Sequence, residues 1–196
     1  MSTNLRLLVA PKCSKVVASY LLVLGDSAGL WLTPELDQLR ERSSLFYDEF
    51  FERVVMQSAR PSVMMVEATD NVPQQVVRKV VFGVEDGSDP RCPFIAPYVQ
   101  ALDLANRQDD ADAVVVPVYK GIDTEFEYRS RISQLAVALR AYLLKPEEER
   151  HIRRILLCTQ TLSDYDQVAL LLGDLVPGVR SRRANLTGGR CSSVAR

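Results

Sequence analysis

The sequence predicts an α/β fold, a three-layer sandwich with a mixed, mainly parallel sheet between helices, and three observations carry that prediction. Short Val- and Leu-rich runs alternate with longer segments whose apolar residues recur at three- and four-residue steps. Helix-starting residues stand where those longer segments begin: Thr33-Pro34-Glu35 and the Thr124-x-x-Glu127 capping box. The run at 113–118 is apolar throughout and bounded by Asp112 and Lys120, as a parallel strand covered on both faces requires.

Residues 5–9 and 16–24 are predicted strands flanking a loop at 10–15, and both are expected to be central. The second run follows Lys12 and Lys15 as the apolar part of a secretory leader would, but Gly25-Asp26-Ser27 makes a poor cleavage region and a strand is preferred. From Pro34, the spacing of Leu36, Leu39, Phe46, Phe50 and Val54 predicts a helix packed on a sheet. Strands at 62–67 and 76–84 follow, separated by Asp70-Asn71-Val72-Pro73, a turn that favours antiparallel pairing. Ile95, Tyr98, Val99, Leu102 and Ala105 mark a helix ending near Asn106, with Pro97 in its first turn.

The run at 113–118 belongs in mid-sheet. The capping box then opens a helix striped by Ile132, Leu135, Ala136, Leu139, Tyr142 and Leu143, which Lys145-Pro146 stops. A last strand at 154–159 precedes a helix opened by Ser163, Asp164 and Asp166 and carrying Val168, Ala169, Leu172 and Leu175. Pro177-Gly178 closes the domain, set at 1–178. Residues 179–196 hold Arg180, Arg182, Arg183, Arg190 and Arg196 without an acid or an apolar period, and are expected to form a flexible tail outside it.

With 196 residues, 47% of them apolar, the chain has enough to bury one substantial core. Lys plus Arg number 24 against 25 Asp plus Glu, so no whole-molecule field points to a polyanionic partner. Cys13, Cys92, Cys158 and Cys191 form no Cys-x-x-Cys pair, which argues against a zinc knuckle or disulfide scaffold and for an intracellular setting, cytoplasmic or nuclear. No apolar run approaches the roughly 20 residues of a membrane-spanning helix, so no membrane partner is expected. A single histidine, His151, excludes a histidine-rich metal site, and no metal or cofactor is expected.

In such sheets ligands collect beyond the carboxyl ends of parallel strands, where helix N-termini attract phosphate. One candidate loop is Gly25-Asp26-Ser27-Ala28-Gly29, whose glycines permit close approach to backbone amides; a plain turn is the competing account. A second is Val118-Tyr119-Lys120-Gly121-Ile122-Asp123, which sets one glycine and one lysine beside the capped helix. A third, at 159–163, is hydroxyl-rich and suited to helix capping. The carboxylates Asp109, Asp110 and Asp112 precede a strand and so lie away from that end, and Glu147-Glu148-Glu149 is a solvated run.

From residue 63 to residue 176 the order of elements resembles the C-terminal two thirds of a macrodomain. Glu67-Ala68-Thr69 and 76–84 are similar to the family's strand, short turn and strand. Residues 113–121 resemble the strand that ends in its phosphate-binding glycine loop, and Asp164-Tyr165 resembles the Asp-Tyr pair of its closing helix. The resemblance implies recognition of ADP-ribose or a related nucleotide metabolite, with Gly25, Asp26, Ser27 and Gly29 near the distal ribose in the preferred register, or Gly25-Asp26 as the family's adenine-receiving pair in another, and Val118 to Asp123 near the phosphates. Departures accompany it. No asparagine occurs between Asn4 and Asn71, so the residue that orients catalytic water in hydrolytic members has no counterpart, and only Gly121 keeps the glycine loop. Tyr119 either blocks the groove or stacks on a base.

The expected function is therefore a macrodomain-like ADP-ribose-binding module without hydrolase activity, with no catalytic residue assigned. The alternative is a structural or protein-interaction component that kept the fold and lost the ligand. A third account makes Asp26 or Asp123 a general base in an enzyme on the same scaffold. The arginine tail implies at most weak, salt-sensitive attraction to nucleic acid.

Overall fold

The computed structural model describes residues 2–11, 16, 18–25, 63–67, 77–84, 89–121 and 123–175. Strands β1 (Asn4–Val9), β2 (Ala18–Gly25), β3 (Val63–Glu67), β4 (Val77–Val84), β5 (Ala113–Pro117) and β6 (Arg154–Thr159) form one sheet in the order β1-β6-β5-β2-β4-β3. Every neighbouring pair from β1 to β4 is parallel, and β3 alone runs antiparallel, against β4. The sheet is thus mixed and mainly parallel, and its antiparallel pair is the one the short turn predicts.

β5 lies between β6 and β2 with all of its residues buried, as a continuous apolar run in mid-sheet demands. β1 corrects an expectation. Among the described residues it is an edge strand, paired with β6 alone, and Asn4 and Arg6 are exposed where Leu5 and Leu7 are buried. A polar residue at every second position marks a half-covered strand, and that alternation outweighs the run's Leu and Val content.

Helices α1 (Ile95–Asn106), α2 (Glu125–Leu143) and α3 (Leu162–Leu172) pack on one face of the sheet. There Leu22, Val114, Val116, Ile155 and Leu157 meet Leu102, Ile132, Leu135, Leu139 and Val168 in one core. Each such side chain contributes roughly 1.5–3 kcal/mol relative to exposure. The opposite face is covered as well: Leu21, Val23, Val80, Val115 and Cys158 are all within 1% of complete burial. The sheet is a middle layer. The predicted helix at 34–54, the turn at 70–73 and the tail at 179–196 lie outside the described residues.

Local chemistry fixes the helix ends. Thr124 accepts a hydrogen bond from the Glu127 amide at 3.3 Å and Glu127 accepts one from the Thr124 amide at 2.8 Å, so the predicted capping box is formed. α3 starts slightly earlier than predicted because Thr161, not Ser163, is its cap, accepting from the Asp164 amide at 3.1 Å. Gly83 in β4 lets α1 approach: a Cβ there would lie 2.5 Å from Leu24 Cδ2 and 3.1 Å from Pro97 Cβ.

Candidate functional site

The β2/β5 pairing ends where a site would begin. Its two recorded partners are Tyr20 with Val114 and Leu21 with Val115, whereas β2 continues along β4 to Gly25 and β5 continues along β6 to Pro117. Past Leu21 and Val115 each strand keeps its outer neighbour and no recorded bond joins the two. The chain leaves β5 toward β6 through α2, while β2 precedes the β3 and β4 side of the sheet. Opposed exits at adjacent carboxyl ends make a topological switch point, the usual place for a crevice in an open α/β sheet.

Gly25 is the last residue of β2, buried and in register with Val84. Asp26, Ser27, Gly29 and Ile122 lie outside the described residues. The Val118 amide donates to the Cys158 carbonyl at 2.8 Å, which prolongs the β5/β6 ladder beyond Pro117. The alternation of β5 therefore persists. Val114, Val116 and Val118 face the helices, and Ala113, Val115 and Tyr119 face the other core. Tyr119 is fully buried and its hydroxyl donates to the Ala10 carbonyl at 2.6 Å, so its ring neither blocks a groove nor offers a stacking face. Strand parity carried past Pro117 gives this result; the expectation for Tyr119 had treated it as loop.

The loop proper starts at Lys120. Gly121 has φ 58°, the left-handed region that favours glycine. No described residue donates to or accepts from the amides of Lys120 and Gly121. Lys120 pairs with Glu125 at 3.0 Å, with both side chains more than 40% exposed.

Beneath the loop stands Arg131, on the inward face of α2 and only 3% exposed. Its Nε and one terminal nitrogen donate to a single oxygen of Asp123 at 3.0 and 2.6 Å, and the same terminal nitrogen donates to the Tyr119 carbonyl at 2.6 Å. Burial works against this charge, but Tyr98 and Asp123 beside it outweigh the penalty and hold the guanidinium above its ordinary pKa. Tyr128, one turn earlier, donates to the Val118 carbonyl at 2.8 Å, and the guanidinium lies 5.7 Å from its ring centre. Arg131 escaped the sequence reading. The available sign was an arginine beside Ile132 within a stripe of Tyr128, Leu135, Leu139 and Tyr142 that faces the core.

Asp123, considered above as a general base, is thus committed to Arg131. The α2 N-terminus carries Asp123, Glu125 and Glu127 against Lys120 and Arg131, each carboxylate already satisfied by a neighbour. Burial of Glu127 is nil and its hydrogen bonds to Thr124 hold its carboxyl below the ordinary value.

At the opposite, amino-terminal ends of β5 and β6 a cleft of about 570 Å³ is lined by Asp109, Asp110, Asp112, Glu147, Glu148, Arg150, His151 and Arg153. Two of its acids have partners outside the cleft. Asp110 accepts from the Tyr20 hydroxyl, and Asp112 pairs with Arg154. Among the described residues, no group of His, Cys, Asp and Glu is disposed to hold a metal ion, and no helix is long and apolar enough to cross a membrane. Cys92, partly buried, is a free thiol.

Several solved structures match this architecture. A glycine-to-valine variant of the Oceanobacillus iheyensis macrodomain with ADPR superposes at TM-score 0.66 and 14% identity, covering 88% of this chain and 94% of that one. The Trypanosoma brucei macrodomain in complex with ADP gives 0.65 and 11%, covering 87% and 69%. The macro domain of ganglioside induced differentiation associated protein 2 gives 0.63 and 12%, covering 89% and 85%. The fold is that of a macrodomain. No family model and no curated protein matches the sequence itself. The likeness is therefore one of backbone, and the macrodomain framework here carries side chains of a different pattern.

Proposed function

We propose that this macrodomain-like chain binds ADP-ribose or a related nucleotide metabolite in the crevice between the carboxyl ends of β2 and β5, without hydrolysing it. One observation carries the reading: the β2/β5 pairing stops at Leu21 and Val115 while both strands continue toward candidate loops. The residues proposed to contact the ligand are Gly25, Asp26, Ser27 and Gly29 after β2 and Lys120, Gly121, Ile122 and Asp123 after β5. Val118 and Tyr119 contribute backbone rather than side chains, since both are wholly buried. Lys120 and the amides beside Gly121, at the start of α2, suit a diphosphate. That the similar structures were determined with ADPR and ADP supports the ligand class. Absence of hydrolysis follows from the missing asparagine and from the engagement of Asp123 with Arg131.

Calorimetric titration with ADP-ribose tests the reading. Saturable micromolar binding, lost in Gly121→Glu, is expected; no heat at millimolar ligand would remove the proposal. A second reading, a protein-interaction component, is favoured by a separate observation. Phe126, Val137 and Leu144 lie along one stripe of α2 and are 82%, 50% and 84% exposed. Soluble charged replacements at those three positions leave ADP-ribose binding unchanged in the first reading and abolish partner capture in the second.

A further inference from the structure

We propose that Arg131 is the positioning residue of this ligand site, the group that sets the loop from Tyr119 to Asp123 in the shape that receives a diphosphate; the inference rests on the function proposed above. Arg131 itself is only 3% exposed. It is buried under the loop and grips it at both ends, through the Tyr119 carbonyl at the start and the Asp123 carboxylate at the finish. Between those grips lie Lys120 and Gly121, whose amides no described residue engages.

The loop is thus clamped where it leaves β5 and where it enters α2, and between the clamps the Asp123 amide donates to the Lys120 carbonyl at 3.1 Å. Tyr98 from α1 and Tyr128 from α2 stand against the guanidinium, so the clamp is anchored to two helices rather than to solvent. A buried ion pair is a poor source of stability, because desolvation consumes most of the Coulombic gain and an apolar pair of similar volume does as well. What it supplies is geometry. A planar guanidinium that must satisfy a carbonyl and a carboxylate together fixes their separation and direction, and a preorganised loop spares the ligand the cost of ordering it.

Lysine has the charge without the fork, so Arg131→Lys keeps one grip and loses the other. Asp123→Asn keeps the volume and weakens the finish of the loop alone. Three measurements on the full chain decide the matter: thermal stability, amide hydrogen exchange over 120–123, and calorimetric affinity for ADP-ribose and for adenosine, which lacks the diphosphate. In both variants exchange at the Asp123 amide, which donates to the Lys120 carbonyl at 3.1 Å, should rise by roughly tenfold or more while the fold persists. Affinity for ADP-ribose should fall by about tenfold while that for adenosine changes less than about twofold.

A purely structural role would weaken both ligands together, and that result overturns the proposal. So does unchanged loop exchange in two folded variants. If the unsubstituted chain binds neither ligand, the function proposed above fails, whereas faster exchange in the variants still establishes the clamp. Arg131→Met is a harsher version in which Asp123 loses its partner; should it not fold, the lysine and asparagine variants carry the decision.

Discussion

The hydroxyl of Tyr119 donates to the carbonyl of Ala10 at 2.6 Å, tying the residue that follows the extended end of β5 to the one that follows β1. Between those two strands lies β6, so the bond spans the carboxyl ends of three neighbours. It also turns a residue expected beside the ligand into a part of the core.

Tyr119→Phe keeps the ring and leaves the carbonyl without this donor, which costs about 1 kcal/mol. The melting temperature should fall by a few degrees while ADP-ribose affinity stays within about twofold. Tyr119→Ala removes the packing too and should cost about 3–5 kcal/mol. An affinity loss larger than the stability loss in the phenylalanine variant would return the side chain to the ligand groove.

Gly83 is the position where α1 presses on the sheet. Alanine there meets Leu24 Cδ2, the end of a flexible side chain, and Pro97 Cβ, part of a ring that has little room to yield. Gly83→Ala should destabilise by about 1–3 kcal/mol. Adding Leu24→Val ought to recover part of that loss, because the two changes share one space. Equal melting temperatures for Gly83→Ala and the unsubstituted chain would show that the close approach is not obligatory.

Three buried tyrosines set the alkaline limit. Burial raises the pKa of Tyr98, Tyr128 and Tyr142 above the ordinary 10.0. Their folded-state values exceed their unfolded ones, so their contribution to stability is complete below pH 10 and is lost as pH rises beyond it. Denaturant midpoints should hold steady from pH 7 to pH 9 and then decline. Absorbance at the tyrosinate band should show these residues ionising only with unfolding, and early ionisation in the folded chain would contradict their burial.

The capping box predicts a smaller effect at the acid end. Hydrogen bonds from Thr124 hold the Glu127 carboxyl below the ordinary 4.5. Its folded-state pKa is the lower one, so its contribution is present above pH 4.5 and disappears as pH falls through the folded value. Thr124→Ala should cost about 1 kcal/mol at pH 7. The difference between Thr124→Ala and the unsubstituted chain should narrow below pH 4, and a constant difference would mean the reciprocal bond adds nothing.

Periodicity made much of this architecture readable. All six strands, the antiparallel edge and the α2 cap follow from residue spacing, because burial on a sheet or helix face leaves a repeat in the sequence. The site was less readable for two reasons. Tyr119 obeys a strand rule beyond the last paired residue of β5, and nothing in the composition of Pro117-Val118-Tyr119-Lys120-Gly121 announces where the ladder stops. Arg131 reaches back to residues 119 and 123 from the second turn of a helix, and only the register of that helix betrays that the arginine faces inward. Gly25 shows the converse: its type favours a loop, yet its position in the β2/β4 ladder makes it strand.

β1 gives the sheet a kinetic asymmetry. Among the described residues its partner strand is β6, and contacts such as that from Thr3 to the Ile152 carbonyl join residues 149 apart in sequence. During synthesis β1 is therefore paired late, waiting until β6 has emerged. Closing so long a loop is slow relative to local pairing. Through that interval Leu5 and Leu7 have no sheet to cover them, and chaperone engagement of the nascent chain should centre on these opening residues and end when β6 docks.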